Sequence, residues 1–517
     1  MGQITFGELK THLFAAADIL RKHLNASENS KPVLALLFLK RLSDVFEENA
    51  EYLMKTKKLS KEEAFGNPRR HDFFIPEKTR YEELEKLSEN VGEKLIKICR
   101  LIEEHPRNQE KLGGTMTYSE FNIKEKYPDN SLRKLISHLG SKRLRSSDLE
   151  NDDVFGDAYE QLLEMFADET KKKGGQFYTP REVVRLLVRI TEPQYDHRIN
   201  DPTCGSGGML IHSRKSVVEE LKEQKKSDDE IKQILKNMTL HGQDSNIDTV
   251  NMCKMNMVLH GVPEFKIEWG DVLQNPKFVK GGELLKYDRV LANFPFSENW
   301  ENSGAEKDPF LRFRYGIAPA KDKADYAFIL HMLSSLNEKG QAAIVCSQGV
   351  LFRGGEEAKI RKNMILGNEK EDLQGDIIEA VIALPQALFF GTGIAGCVLV
   401  LNKNKPEKRK NKILFIYAAN EYQEGKVRNK LRDRDIDHII KVFKNFKDED
   451  KYCHVAELDE IEENEFNLNV PRYVDISEEE KIINIQATIN DLKKLEGERE
   501  KIEVKVKTDL KELGFKV

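Results

Sequence analysis

Between about residue 152 and residue 475, five short β-prone runs recur: MTLHGQD (238–244), FKIEWGDVL (265–273), DRVLAN (288–293), QAAIVCSQ (341–348) and IIEAVIALP (377–385). The segments between them are long enough for amphipathic crossover helices. A chain patterned in this way buries its apolar runs as a parallel, doubly wound α/β sheet. Two further runs, GCVLVLNK (396–403) and KILFIYAA (412–419), flank the basic loop NKPEKRKN. They are expected to form an antiparallel hairpin added at the sheet's end.

The flanking segments read differently. Residues 1–150 carry apolar side chains at three- and four-residue spacing, as in KPVLALLFLKRLSDVFEENAEYL (31–53), and predict a helical domain. Residues 151–475 are then the sheet-bearing domain, and residues 476–517 one long helix opened by a capping box of Ser477 and Glu480. Its apolar residues, Ile482, Ile485, Ile489, Leu492, Leu495, Ile502, Val506, Leu510 and Leu513, fall close to a coiled-coil seam. Such a stripe must be hidden, either on the first domain or on a partner's helix.

Charge and cysteine usage narrow the function classes. The 83 Lys and Arg against 88 Asp and Glu leave a net charge of −5, so any nucleic-acid partner must be attracted by local patches or by a basic companion chain. The basic runs NKPEKRKNK and KVRNKLRDR are read as solvated surface. Six cysteines without CxxC spacing indicate reduced thiols and a cytoplasmic protein, and the twelve histidines form no metal-ligand pattern. No apolar run approaches membrane-spanning length.

Chemistry-bearing residues gather at predicted strand ends. In INDPTCGSGGMLIHS, Asp201 ends a strand, and Gly205, Ser206 and Gly207 lead into a helix whose N-terminus offers unpaired N–H groups. Leu210 stands where a dinucleotide fingerprint needs glycine, and no Gly-Lys-Ser/Thr ending follows, which argues against a nicotinamide or nucleotide-hydrolysing loop. Asp244 closes the next strand, where a carboxylate can accept from two ribose hydroxyls. Asp271 closes the third, suitably placed for an adenine amine, and Asn293 the fourth, followed by Phe294, Pro295 and Phe296. Acid or amide at four successive strand ends is what a nucleoside ligand and a reactive amine require along the carboxyl edge of such a sheet.

The ordered set GGQFYTP, DPTCGSGG, GQD, GDVL and NFPF resembles the S-adenosylmethionine-dependent amino-methyltransferases. GDAYEQLLEMFADETKKKGGQFYTPREVV and FNLNVPRYV resemble, more narrowly, the modification subunit of type I restriction-modification systems, and the likeness covers nearly the whole chain. It implies a Rossmann-like methyltransferase sheet with S-adenosylmethionine as cofactor. By the same likeness Gln176, Phe177, Tyr178, Thr179, Pro180 and Arg181 cover the cofactor's methionine end, Gly205, Ser206 and Gly207 pass beneath it, Asp244 holds the ribose and Asp271 meets the adenine. The implied function is site-specific adenine methylation of double-stranded DNA. The implied partners are a specificity subunit that reads the target, a second copy of this chain and a restriction subunit.

The tetrapeptide explains itself on that reading. Adenine's exocyclic amine is a weak nucleophile because its lone pair is delocalised, and the Asn293 oxygen with the Phe294 carbonyl can accept both N–H bonds and relocalise it. Phe296 would stack on a base flipped out of the duplex. Phe294 stands where the family usually has proline, while Pro295 keeps it extended. A noncatalytic scaffold copy, and a methyltransferase acting on protein or RNA, are the alternatives. The helix-like KADYAFILHML with Asp325 reads as a packing element, and SQGVLFRGGEEAKIRKNMI (347–365) is assigned no catalytic role.

Overall fold

A computed structural model describes residues 3–21, 26–151, 153–170, 178–321, 323–368, 372–477 and 485–515. Met1–Val474 form one compact unit and Asp475–Val517 a second.

The strands are β1 (Arg198–Asp201), β2 (Thr239–Asp244), β3 (Lys266–Trp269), β4 (Val279–Lys280), β5 (Glu283–Leu284), β6 (Tyr287–Asn293), β7 (Leu336–Ser347), β8 (Ile378–Ala383), β9 (Gly396–Asn402), β10 (Lys412–Tyr417) and β11 (Cys453–Glu457). Nine of them make one sheet in the order β11-β10-β8-β9-β7-β6-β1-β2-β3, while β4 and β5 pair separately. From β7 through β6, β1 and β2 to β3 every pairing is parallel, so the carboxyl ends of β6, β1, β2 and β3 share one edge. Helices pack on both faces of this half of the sheet. Alternation along β6 shows the two layers: Val290 and Ala292 pack with Ile329 and Leu330 of the helix Asp325–Ser335. Leu291 packs on the opposite side with Val183 and Leu187 of the helix Arg181–Thr191.

The expected hairpin does not form. β9 lies between β7 and β8, antiparallel to both, while β10 pairs parallel to β8 and antiparallel to β11. Both runs are buried along nearly their whole length, so each needs a neighbour on either side. The loop between them is long enough to step across one intervening strand, a span of about 10 Å.

Before β1 the described chain is mainly helical, with one isolated bridge between Ile4 and Leu149. The helices Phe6–Arg21, Ala26–Lys57, Val91–Glu103, Asp129–Gly140 and Asp153–Thr170 enclose a core built on Leu9, Leu13, Phe38, Leu95, Leu135 and Phe155. That core runs on into Tyr178, Met255, Leu259 and Phe390 of the sheet-bearing part. Inside it Lys40 and Asp44 pair at 2.7 Å, one turn apart on the same helix.

In the second unit the helix Ile485–Glu512 exposes Ile489, Leu492, Leu495, Ile502 and Val506. Glu480 and Ile482, expected in its capping box and apolar stripe, lie outside the described residues, and the Ser477 hydroxyl donates to Asp475 Oδ1 (2.6 Å).

Candidate functional site

The parallel half of the sheet brings the expected strand-end residues to one edge. After β1 the chain turns through Gly205 (φ +52°) and Gly207 (φ +82°) into the helix Gly208–Glu223. A Cβ on Gly207 would stand 2.8 Å from Cys253 Sγ, so close packing and left-handed backbone both require glycine there. Asn256 Nδ2 donates to the Ser206 carbonyl (2.8 Å) and holds the loop from below.

Two acids frame this loop. Asp201 is buried at the end of β1 and accepts the Thr203 N–H (3.1 Å). Burial, with the nearby Asp244 charge adding to it, pushes its carboxyl up to about 8. Asp244 accepts the N–H groups of Gly205 (3.1 Å) and Asn246 (2.9 Å), yet burial still raises it to about 6. Both carboxyl groups are desolvated, so a cationic guest beside them would favour their ionised forms. Asp271 is exposed after β3, its Oδ1 accepting the Leu273 N–H (2.8 Å). The turn around it is stitched by buried Gln243, whose Nε2 donates to the carbonyls of Gly270 (2.9 Å) and Asn275 (3.0 Å).

Asn293 closes β6, in register with Val345 of β7. Its Nδ2 donates to Thr179 Oγ1 (3.1 Å), and its Oδ1 is buried without a hydrogen-bond partner among the described residues. Tyr178, Thr179, Asp201, Gly205, Ser206 and Asn293 line one small cavity. The Phe294 ring does not crowd it: fully buried, it stacks on Phe328 (5.1 Å, 14°). Half-buried Phe296 meets Phe294 (5.9 Å) and Phe389 (6.3 Å) edge to face, with Pro295 half-buried between the two phenylalanines of the turn.

Gln176 and Phe177 lie outside the described residues. Tyr178 is buried edge-on to Phe390 (5.8 Å), and Pro180 caps the helix Arg181–Thr191. Arg181 turns toward the preceding helix, pairing with Asp157 (2.8 Å) and approaching Glu160 (3.7 Å). Burial opposes ionisation of Glu160, but His212 at 3.1 Å, His260 and Arg181 together hold it at about 2. These contacts tie Arg181 to the helix Asp153–Thr170.

A second group, unassigned from sequence, supports the Asn293 turn. Asp325, fully buried, accepts the Ser297 N–H (2.8 Å), the Ser347 hydroxyl (3.0 Å) and Arg353 Nη1 (3.1 Å), and Arg353 also pairs with Glu357 (3.1 Å). Ser297 has φ +56°, so this carboxylate holds the chain in a left-handed exit immediately after Phe296. The i, i+4 pair Arg353 and Glu357, following the strand that ends at Ser347, was the available signal.

The family model for N-6 DNA methylases matches residues 150–482, and that for the HsdM N-terminal domain matches residues 9–139. Among curated relatives, the methylase subunit of type I restriction enzyme MjaVIII of Methanocaldococcus jannaschii is 36% identical, over 96% of this chain and 83% of its own. The methylase subunit of MpnII of Mycoplasma pneumoniae is 30% identical over 84% and 76%. Among solved structures, a type I restriction-modification methyltransferase subunit from Streptococcus thermophilus superposes with a TM-score of 0.73 at 29% identity, covering 91% of this chain and 100% of its own.

Proposed function

From the premise that this chain belongs to the N-6 DNA methylases, among the methylase subunits of type I restriction enzymes, we propose that it transfers a methyl group from S-adenosylmethionine to adenine N6. Its substrate is double-stranded DNA in the cytoplasm, and its target is chosen by a separate specificity subunit.

The residues present suit the cofactor. Asp201 is buried and Asp244 half-buried, burial raises both carboxyl groups, and Asp201, Gly205 and Ser206 line the same cavity as Asn293. Asp201 and Asp244 would hold its charged and ribose portions, Gly205, Ser206 and Gly207 would run beneath it, and Asp271 would take its adenine. When bound, S-adenosylmethionine supplies an electrophilic methyl group and departs as S-adenosylhomocysteine.

This chain's own task is to prepare the nucleophile. Asn293 Oδ1 and the Phe294 carbonyl accept the two N–H bonds of the flipped adenine, favouring a pyramidal nitrogen, and stabilisation grows as positive charge develops there. Phe296 offers the base an aromatic face that offsets part of its lost stacking. Because the Phe294 ring is buried against Phe328, the departure from the family's proline puts no bulky ring into the cavity.

The single observation that carries this reading is the buried, unpartnered Asn293 oxygen on the edge that also holds both acids. We assign residues 1–150 and 151–475 to helical and catalytic domains. Residues 476–517, through the exposed apolar stripe of Ile489, Leu492, Leu495, Ile502 and Val506, dock in an assembly of specificity subunit, two copies of this chain and, for cleavage, a restriction subunit. The test is transfer of a labelled methyl group to DNA by the chain with its specificity subunit. Incorporation into DNA that requires that subunit supports the reading; incorporation only into protein or RNA, or none, overturns it.

A further inference from the structure

We propose that Thr179 is a positioning residue for Asn293: its hydroxyl accepts an N–H of the Asn293 amide, so that the amide oxygen is left for the target amine. The inference deepens the adenine-amine reading above and rests on it.

An asparagine side chain ends in two donors on one side and an acceptor on the other. Only one presentation serves this chemistry. With the oxygen outward, the amide accepts from the target amine; with the nitrogen outward, donors face donors and the base is repelled. The amide nitrogen therefore needs a partner of its own in the productive state, because a buried N–H without an acceptor is costly. Thr179 Oγ1 lies 3.1 Å from Nδ2, across 114 residues of sequence, while Oδ1 is buried with no partner among the described residues.

A hydroxyl is also able to donate, and could turn to the oxygen while the site is empty. The arriving amine removes that option, since its own N–H bonds claim the oxygen and the amide nitrogen falls to Thr179. What the site requires of residue 179 is thus an acceptor at a fixed place.

The structure holds Thr179 at both flanks. Tyr178 is buried against Phe390, and the Pro180 carbonyl accepts from the N–H groups of Val183 (2.9 Å) and Val184 (3.0 Å). Arg181 is paired with Asp157, beside a Glu160 held by His212. On the other side Asn293 is the last paired residue of a central strand. Neither backbone can shift easily to compensate for a lost hydroxyl.

The experiment compares wild type, Thr179→Val, Thr179→Ala, Thr179→Ser and Asn293→Ala, each assembled with the specificity subunit. It measures kcat at saturating DNA, KM for DNA, and Kd for S-adenosylmethionine by calorimetry. Losing one hydrogen bond to the amide should lower kcat about tenfold in both Val and Ala variants. Cofactor Kd should change by a smaller factor than kcat falls, and the Ser variant should restore kcat to within about twofold of wild type. Using both Val and Ala separates loss of the hydroxyl from a change of bulk. Unchanged kcat in Val and Ala, or weakened cofactor binding with unchanged kcat, would overturn the role of Thr179 and assign its hydroxyl elsewhere. Wild-type activity in Asn293→Ala would instead reject the underlying reading, and so the two failures are distinguishable.

Discussion

Cofactor affinity should rise steeply with pH, because the site is built on a carboxyl that is neutral when empty. Burial raises Asp201 to about 8, with the Asp244 charge adding to it, so in the free protein Asp201 is mostly protonated at neutral pH. A cationic cofactor favours the ionised form, and binding therefore expels a proton. If the bound carboxylate stays ionised throughout, Kd scales as one plus the ratio of protonated to ionised Asp201 in the free protein. That factor is about 100 at about pH 6 and about 2 at about pH 8, a roughly fiftyfold gain in affinity, or about 2.3 kcal/mol. Asp244, raised to about 6 by burial, adds a further loss of affinity below that pH. Calorimetry of S-adenosylmethionine binding across this range, in buffers of different ionisation enthalpy, reads both the slope and the released proton. Asp201→Asn should bind more weakly than wild type across the range, by a margin that grows roughly fiftyfold between about pH 6 and about pH 8 because its own profile is nearly flat. A wild-type Kd that does not change with pH, or an Asn variant that keeps the wild-type slope, would refute the reasoning.

The two phenylalanines of the Asn293–Phe296 turn should separate in function. Phe294→Ala empties a fully buried position stacked on Phe328 and should cost about 3–5 kcal/mol in urea unfolding. Phe296→Ala should cost much less stability and chiefly raise KM for DNA, since its half-buried ring is assigned to the flipped base. Asp325→Ala should destabilise the protein by about 3 kcal/mol in the same assay and lower kcat, because it releases the Ser297 turn and leaves buried hydrogen-bonding groups without a partner. At the far end of the sheet, His438 sits between Glu421 (2.8 Å) and Glu449 (3.0 Å). Burial opposes its charge, but the bonds to those carboxylates prevail and raise its pKa. A raised histidine contributes stability that is complete below its unfolded pKa of about 6.5 and is lost as pH rises through the folded value. Glu421→Gln should therefore narrow the stability difference between about pH 5.5 and about pH 9 seen in wild-type thermal melts; an unchanged difference would exclude this pair as its source.

Much of the candidate edge was legible because each strand announces both its burial and its end. In TLHGQD, KIEW and YDRVLAN the apolar residues stop where an acid, glycine or amide begins, and those stops lie together once the strands pair in parallel. The order of β8, β9 and β10 was not legible. IEAVIA and GCVLVLN are buried on both faces, so their composition carries no preference for one neighbour over another. Side-chain direction was equally hidden. Phe294 turns into the core and Arg181 toward Asp157, choices made by packing partners far away in the chain. The clamp joining Ser297, Asp325, Ser347, Arg353 and Glu357 has no compact motif, since a loop, a helix and a strand end each contribute to it. The Thr179 to Asn293 contact belongs to the same class: both residues were singled out, but only the fold joins them.

The most direct test is single-molecule sequencing of genomic DNA after this chain is co-expressed with its specificity subunit in a host without endogenous adenine methylation. N6-methyladenine should appear at one recurrent target with wild type and vanish with Asn293→Ala, although that variant still binds cofactor. Methyladenine persisting at the same target in the Asn293→Ala host would contradict the claim that this amide presents the nucleophile.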